Sequence, residues 1–215
     1  LSRIPISTDN ISIPSGRTVN LDVSNVTVPS VLVTGTLNIN SGNSITISGN
    51  LTTTGTIKIK SNATSSGSLI VQGSSTGNII YERYIKDNSN WYLISSPLEN
   101  QDIDTFASNT SLISGAGNNR GLGNYNNSTP GWEYYQSTAT SSGNFPLGKG
   151  YSIRLSTPEN AIFTGSLKEE RFDKVDFYIL FDALPIWLVT VEEISEVLPL
   201  QKEMFDLVIF DEATQ

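Results

Sequence analysis

The sequence predicts a mainly β protein: β-solenoid-like repeats, then an antiparallel β-sandwich-like unit, then a short α/β C-terminal fragment. Three observations lead there. Through residues 1–80 apolar and polar residues alternate and one word recurs at a fixed interval. From residue 81 aromatic residues enter and the repeat stops. At residue 168 glycine and asparagine vanish together.

Residues 1–80 set the first element. The apolar positions include Val19, Leu21 and Val23; Val26 and Val28; Val31 and Val33; Leu37 and Ile39; Ile45 and Ile47; Ile57 and Ile59; Leu69 and Val71. Period two over short runs gives strands with one buried face. Ser-Gly, Gly-Asn and Thr-Gly pairs between the runs supply turns. "GTLNINS" at 35–41 returns as "GTIKIKS" at 55–61, and "GSLIVQG" at 67–73 is a shortened echo. An interval of about 20 residues fits one coil of a β-solenoid, in which each coil buries its apolar face on the next. A β-sandwich of regular hairpins is the alternative, although hairpin dipeptides such as Asn-Gly are missing here. Outward Thr, Asn and Ser are expected to form ladders between coils. Asn-x-Ser/Thr sequons such as Asn25-Val26-Thr27 and Asn50-Leu51-Thr52 follow from this composition alone.

Residues 81–167 set the second element. "NWYLISSP" reads as a strand stopped by Pro97, and "GWEYYQS", "GYSIRLS" and "AIFTGSL" read as three more. "SGAGNNRGLGNYNNSTPG" between them lacks periodicity and reads as a long polar loop. The expected arrangement is an antiparallel sandwich, truncated at its C-terminal edge. The default place for Tyr81, Tyr84, Trp91, Tyr92, Trp132, Tyr134, Tyr135 and Tyr151 is its core. The alternative is a ligand platform of Trp91, Trp132 and Tyr134 for a sugar. Gly143–Gly150 nearly matches the phosphate-binding loop G-x-x-x-x-G-K-[ST], but Gly150 stands where a hydroxyl would hold magnesium. Pro146 stiffens it, and a strand follows where a helix should open. Asp102 and Asp104 could suggest calcium. Without further ligands they are expected on a solvated loop or as a helix cap.

The words "NIIYERYI", "WYLISSP", "GWEYY", "GKGYSIRL" and "IFTGSL" resemble a family of large exported surface proteins of Bacteroidota, cargo of the type IX secretion kind. The resemblance covers roughly residues 15–167. It implies Ser/Thr/Asn-rich β repeats before a β-sandwich, an extracellular or cell-surface location, and a structural or adhesive role. It carries no catalytic residue across.

Residues 168–215 read differently. They hold four Lys/Arg and twelve Asp/Glu, so the whole formal charge of −8 resides there, while residues 1–167 balance nine against nine. "IWLVT" reads as a strand; Val191, Ile194, Val197 and Leu198 have helical spacing, ended by Pro199; "FDLVIF" reads as a buried parallel strand. Residues 185–215, ending in "DEATQ", resemble the motif II (Walker B) region of superfamily 1 DNA/RNA helicases. That resemblance implies that Asp211 helps hold Mg²⁺, that Glu212 polarises the water attacking ATP, and that Gln215 belongs to the same nucleotide site. It also implies a cytoplasmic, nucleic-acid-binding parent for residues 187–215. A Walker B strand alone hydrolyses nothing. Between the two parts, "DALPI" at 182–186 is what GACGCTCTTCCGATC encodes, which resembles the end of a sequencing adaptor. Residues 168–186 are therefore expected to be a seam joining two unrelated pieces.

Composition excludes several functions. Cys and His are both zero, so disulfides, Cys/His zinc sites and His-based triads are absent. No basic patch favours phosphate binding. No apolar run is long enough to span a membrane. The chain begins at Leu1 without a visible signal peptide, and both ends are expected to be cuts from something longer. The expected function is non-enzymatic: part of an exported structural or adhesive protein with an unknown surface or glycan target. No cofactor is expected for residues 1–167. The alternatives are a helicase fragment, inactive alone, and a carbohydrate-binding module.

Overall fold

The structure, a computed structural model, describes residues 4–146 and 148–167. The chain divides into two units, Leu1–Glu169 and Glu170–Gln215, and the described residues belong to the first. The α/β fragment and the seam expected over 168–215 lie outside them.

Four windings build the first part. The first coil holds β1 (Ile11–Ile13), β2 (Thr18–Leu21) and β3 (Val26–Val28). The second holds β4 (Val31–Val33), β5 (Thr36–Ile39) and β6 (Ser44–Ile47). The third holds β7 (Leu51–Thr53), β8 (Thr56–Ile59) and β9 (Ser68–Val71). The fourth begins with β10 (Ser75–Thr76) and β11 (Asn78–Ile85). All the pairings between coils are parallel, giving three sheets: β1-β4-β7-β10, β2-β5-β8-β11 and β3-β6-β9. Parallel stacking selects the solenoid over the hairpin sandwich.

The interval sets the register. Ile11 pairs with Val31 and Val31 with Leu51, an offset of 20 residues at each step. Residues paired across two parallel strands point to the same face, so like faces like whatever the offset. Leu21, Ile39 and Ile59 form one interior column, and Val28, Ile47 and Val71 form another. Val28, Ile39 and Ile47 are fully buried, and each such side chain contributes about 1.5–3 kcal/mol. Thr53 interrupts the column above Ile13 and Val33. Its buried hydroxyl donates to the Val33 carbonyl at 3.3 Å, which offsets its burial. The third coil is longer: Ile45 pairs with Leu69, an offset of 24. The extra residues form a turn in which the Asn62 carboxamide oxygen accepts from the backbone N–H groups of Thr64 and Ser65, both at 2.9 Å.

Glycine fixes how closely the coils stack. At one corner a Cβ on Gly35 would strike the Pro14 and Arg17 carbonyls, and one on Gly55 would strike the Gly35 carbonyl. The recurring Gly-Thr word is thus a corner where backbone lies directly on backbone. The expected outer ladders also form. Asn38 donates to Asn20 at 2.8 Å, Ser30 to Asn10 at 2.7 Å, and Ser74 to Asn50 at 3.0 Å.

The second part grows out of the solenoid. The expected boundary at residue 80 falls inside β11, which pairs parallel with β8 on one edge and antiparallel with a later strand on the other. Beyond β11 come β12 (Tyr92–Ile94), β13 (Leu98–Glu99) and a short helix α1 (Ile103–Ser108). Then follow β14 (Asn119–Asn126), β15 (Gly131–Gln136), β16 (Tyr151–Ile153) and β17 (Glu159–Leu167). Strands β17 and β13 extend the second solenoid sheet to the order β13-β17-β11-β8-β5-β2. The antiparallel sheet β12-β16-β14-β15 is separate. Phe163 of β17 stacks on Phe106 of α1 at 4.8 Å, and Phe145 meets both Phe106 and Tyr151 of β16 edge-on at 5.2 and 4.9 Å. This cluster joins the two sheets.

Two expectations need correction. The polar "loop" around residue 120 contains β14, an inner strand of the antiparallel sheet. Its glycines hid it: a Cβ on Gly121 would strike the Arg154 carbonyl, so the strand needs glycine for close approach. The core aromatics are chiefly phenylalanines. Of the aromatic residues expected there, Tyr151 is buried, whereas Trp91 and Trp132 are 44% and 47% exposed.

Candidate ligand platform on the antiparallel sheet

Strand register decides which aromatic residues share a face. Trp132 and Tyr134 are two apart on β15, so they point the same way. Across the ladder Trp132 pairs with Tyr125 of β14 and Tyr134 with Gly123. Gly123 in turn pairs with Ser152 of β16, and Ser152 with Leu93 of β12. Leu93, Ser152, Gly123, Tyr125, Trp132 and Tyr134 therefore lie on one face, the outer one. Trp91, two residues before Leu93, joins them: its ring lies 5.8 Å from that of Tyr134.

Small residues make the floor. A Cβ on Gly123 would lie 2.9 Å from a ring carbon of Tyr134, so the Tyr134 ring spreads over the β14 backbone. Ser152 is buried beside it. Trp91, just before β12, and Tyr134 of β15 reach toward each other from opposite edges of the sheet. A second pair, Tyr125 and Trp132, meets at 5.6 Å and 75°. Leu93 is 83% exposed. The structure thus brings together Trp91, Trp132 and Tyr134, and adds Tyr125 and Leu93. Only cross-strand register could have signalled those two.

A cleft of about 340 Å³ borders this sheet, lined by Gly123 and Tyr134 of the platform together with Glu133, Tyr135, Lys149 and Tyr151. Its ionisable groups, and the neighbouring Asp104, are already engaged. Asp104 accepts from the Ser142 backbone N–H at 2.9 Å and from its hydroxyl at 2.7 Å. These bonds, with a further one from Tyr135, hold the Asp104 carboxyl below the usual range. Burial, then the hydrogen bond to Asp104, pushes Tyr135 up to about 12. Glu133 accepts from Asn126 at 2.6 Å, and the Lys149 ammonium sits 5.7 Å over the Tyr151 ring. Asp102 caps α1 through a 2.7 Å bond from the Thr105 N–H. Among the described residues no group of three or more His, Cys, Asp or Glu side chains is placed to hold a metal.

Within the phosphate-loop lookalike at 143–150, Phe145 is buried in the aromatic cluster, and its N–H donates to the Gln101 carbonyl at 2.9 Å. The strand β16 begins at Tyr151. Asp211, Glu212 and Gln215 lie outside the described residues. Among the described residues no helix is long and apolar enough to cross a membrane.

Fold and face together define the class: a parallel β-solenoid whose second sheet continues into an antiparallel unit with an outward aromatic surface. Residues 1–174 match the family described as Domain of unknown function (DUF8693), and the chain belongs to that family. No curated protein and no solved structure matches the chain.

Proposed function

We propose that residues 1–167 are part of an exported, cell-surface β protein with a structural and adhesive role and no catalysis of its own. One observation carries the adhesive half. Of the large apolar side chains exposed among the described residues, Trp91, Leu93, Tyr125 and Trp132 are gathered on one side of one sheet. Scattered exposed apolar residues are ordinary, whereas a contiguous patch marks an interaction surface. The solenoid supports the structural half, because its interior is filled by its own repeats and its outside is tied by Asn and Ser ladders. The resemblance to exported surface proteins agrees with both.

Two measurements test this. Protease applied to intact host cells is expected to remove the chain before lysis; a chain protected until lysis overturns surface display. Beads coated with the whole chain are expected to adhere to the host's natural substratum, with adhesion falling severalfold for Trp132→Ala; equal adhesion by both overturns the platform.

The tail carries the second reading, a helicase motif II fragment. It rests on the resemblance of residues 185–215, ending in "DEATQ", and we propose that it was joined at the 168–186 seam. No Mg²⁺-dependent ATP turnover is expected from this chain. Turnover abolished by Glu212→Gln, or one genomic locus encoding residues 150–215 without a break, would reverse that proposal.

A further inference from the structure

We infer that the outer face of the antiparallel sheet binds a neutral, extended glycan, with Trp91–Tyr134 and Tyr125–Trp132 as two neighbouring stacking subsites. The inference rests on the adhesive reading of this face and names its ligand.

Shape is the first argument. The two aromatic pairs project from strands of a single sheet, and Trp132 and Tyr134 stand about 7 Å apart along β15, two residues of extended chain. Gly123 and Ser152 lie beneath the Trp91–Tyr134 pair, Gly123 under the Tyr134 ring itself, so no bulky side chain lifts that pair off the sheet. The result is a ledge of rings with a shallow floor. A ligand made of successive flat units, each with an apolar face, matches it. Pyranose rings are such units, since their axial C–H bonds form an apolar face and their hydroxyls lie around the rim.

Charge is the second. None of Leu93, Ser152, Gly123, Tyr125, Trp132 and Tyr134 is charged at neutral pH. A polyanion such as single-stranded nucleic acid also stacks on aromatic rings, but it needs basic side chains along its backbone. The cations nearby are engaged elsewhere: Lys149 sits over Tyr151, a residue of the opposite face, and Arg154, two residues past Ser152, donates to the Asn88 carbonyl at 3.0 Å. A ledge whose own residues carry no charge, and whose neighbouring cations are already engaged, complements a neutral polymer. Hydroxyl recognition falls to the rim, where the Tyr125 and Tyr134 hydroxyls and the indole N–H groups offer hydrogen bonds. Gln136 and Asn119 continue the same face past Tyr134, and Gln136 donates to the Asn119 carboxamide.

The test is affinity electrophoresis and titration calorimetry of the whole chain with soluble neutral polysaccharides: a mixed-linkage β-glucan, xyloglucan, galactomannan and hydroxyethylcellulose. Retardation by at least one is expected, unchanged in 0.5 M NaCl. Trp91→Ala and Trp132→Ala are each expected to weaken it about tenfold or more. Tyr125→Phe, which keeps the ring and the fold, is expected to weaken it only a few fold. Should an alanine variant fail to fold by circular dichroism, Trp132→Phe replaces it. Lack of retardation by all four polymers overturns the inference, as does full binding by a folded Trp91→Ala/Trp132→Ala double variant. Salt-sensitive binding to heparin or single-stranded DNA in place of the neutral polymers overturns it in favour of a polyanion. If bead adhesion needs Trp132 but no glycan binds, a protein partner holds the face; the glycan assignment then fails and the adhesive role survives. If adhesion fails too, both fall.

Discussion

The solenoid and the antiparallel unit share a sheet, yet they are held together by opposite means. In the solenoid each side chain meets its counterpart one coil away, and the same contact recurs from coil to coil. Leu21, Ile39 and Ile59 illustrate it. In the antiparallel unit a single aromatic cluster takes Phe106 from α1, Phe145 from a loop, Tyr151 from β16 and Phe163 from β17. Its central pairing, β11 with β17, joins Asn78 to Ser166. The first region is a sum of nearest-neighbour terms. The second is one cooperative knot of long loop closures. Damage should therefore stay local in one and spread in the other.

The sharpest way to break this contrast is Phe163→Ala. Removing that ring from the cluster is expected to cost about 3–5 kcal/mol. Hydrogen exchange should show amide protection lost throughout β12–β17 while the amides of Ile45 and Ile47 keep theirs. Equal loss in both regions would mean that the solenoid is not an independent sum. Gly55→Ala is the reciprocal perturbation. Its Cβ would strike the Gly35 carbonyl, at an expected cost of about 3 kcal/mol. Here protection should fall in the second and third coils and persist around Phe106. Asn38→Ala removes one rung of an exposed ladder and should cost about 0.5–1 kcal/mol, visible as a small drop in thermal midpoint.

The smallest effect is an acid one, confined to the antiparallel unit. Asp87 is lowered to about 2, first by the Tyr92 hydroxyl and then by the N–H groups of Asn90 and Ser89. Its folded value lies below the ordinary 3.8. The stabilisation is thus present in full above pH 4 and disappears as pH falls through about 2. Asp87→Asn should flatten the acid limb of a stability profile in that window, with the group's partial exposure keeping the change slight.

Legibility in the sequence follows the same divide. A coil is a local constraint repeated at a set interval, so the Gly-Thr-[Leu/Ile] words and their alternating neighbours announce the stack. Strands β7 and β10 escaped notice because neither holds two apolar residues to alternate, and β1 escaped it although Ile11 and Ile13 alternate as the apolar residues of β3 and β4 do. The antiparallel unit depends on pairing between distant segments, which no window reveals. Hence β14, with Gly121 and Gly123 in its interior, resembled a loop, and β11 belonged to both regions across an expected boundary. Trp91, Trp132 and Tyr134 were visible as a candidate platform. Their shared face, and the membership of Tyr125, became evident only from the register of β15 on β14.

The glycine corners have a mechanical consequence. Because backbone stacks on backbone there, adjacent coils are joined mainly by hydrogen bonds that run along the axis of the stack. Tension along that axis loads the bonds of one coil junction at a time, as in opening a zip. Each coil released adds about 20 residues of slack chain, roughly 70 Å at full extension. A molecule of this kind, tethered at a surface and pulled through its ligand, is expected to lengthen in discrete steps under load. Force spectroscopy on the whole chain would read them as successive extensions, the third coil's the longest, and a single all-at-once rupture would exclude this behaviour.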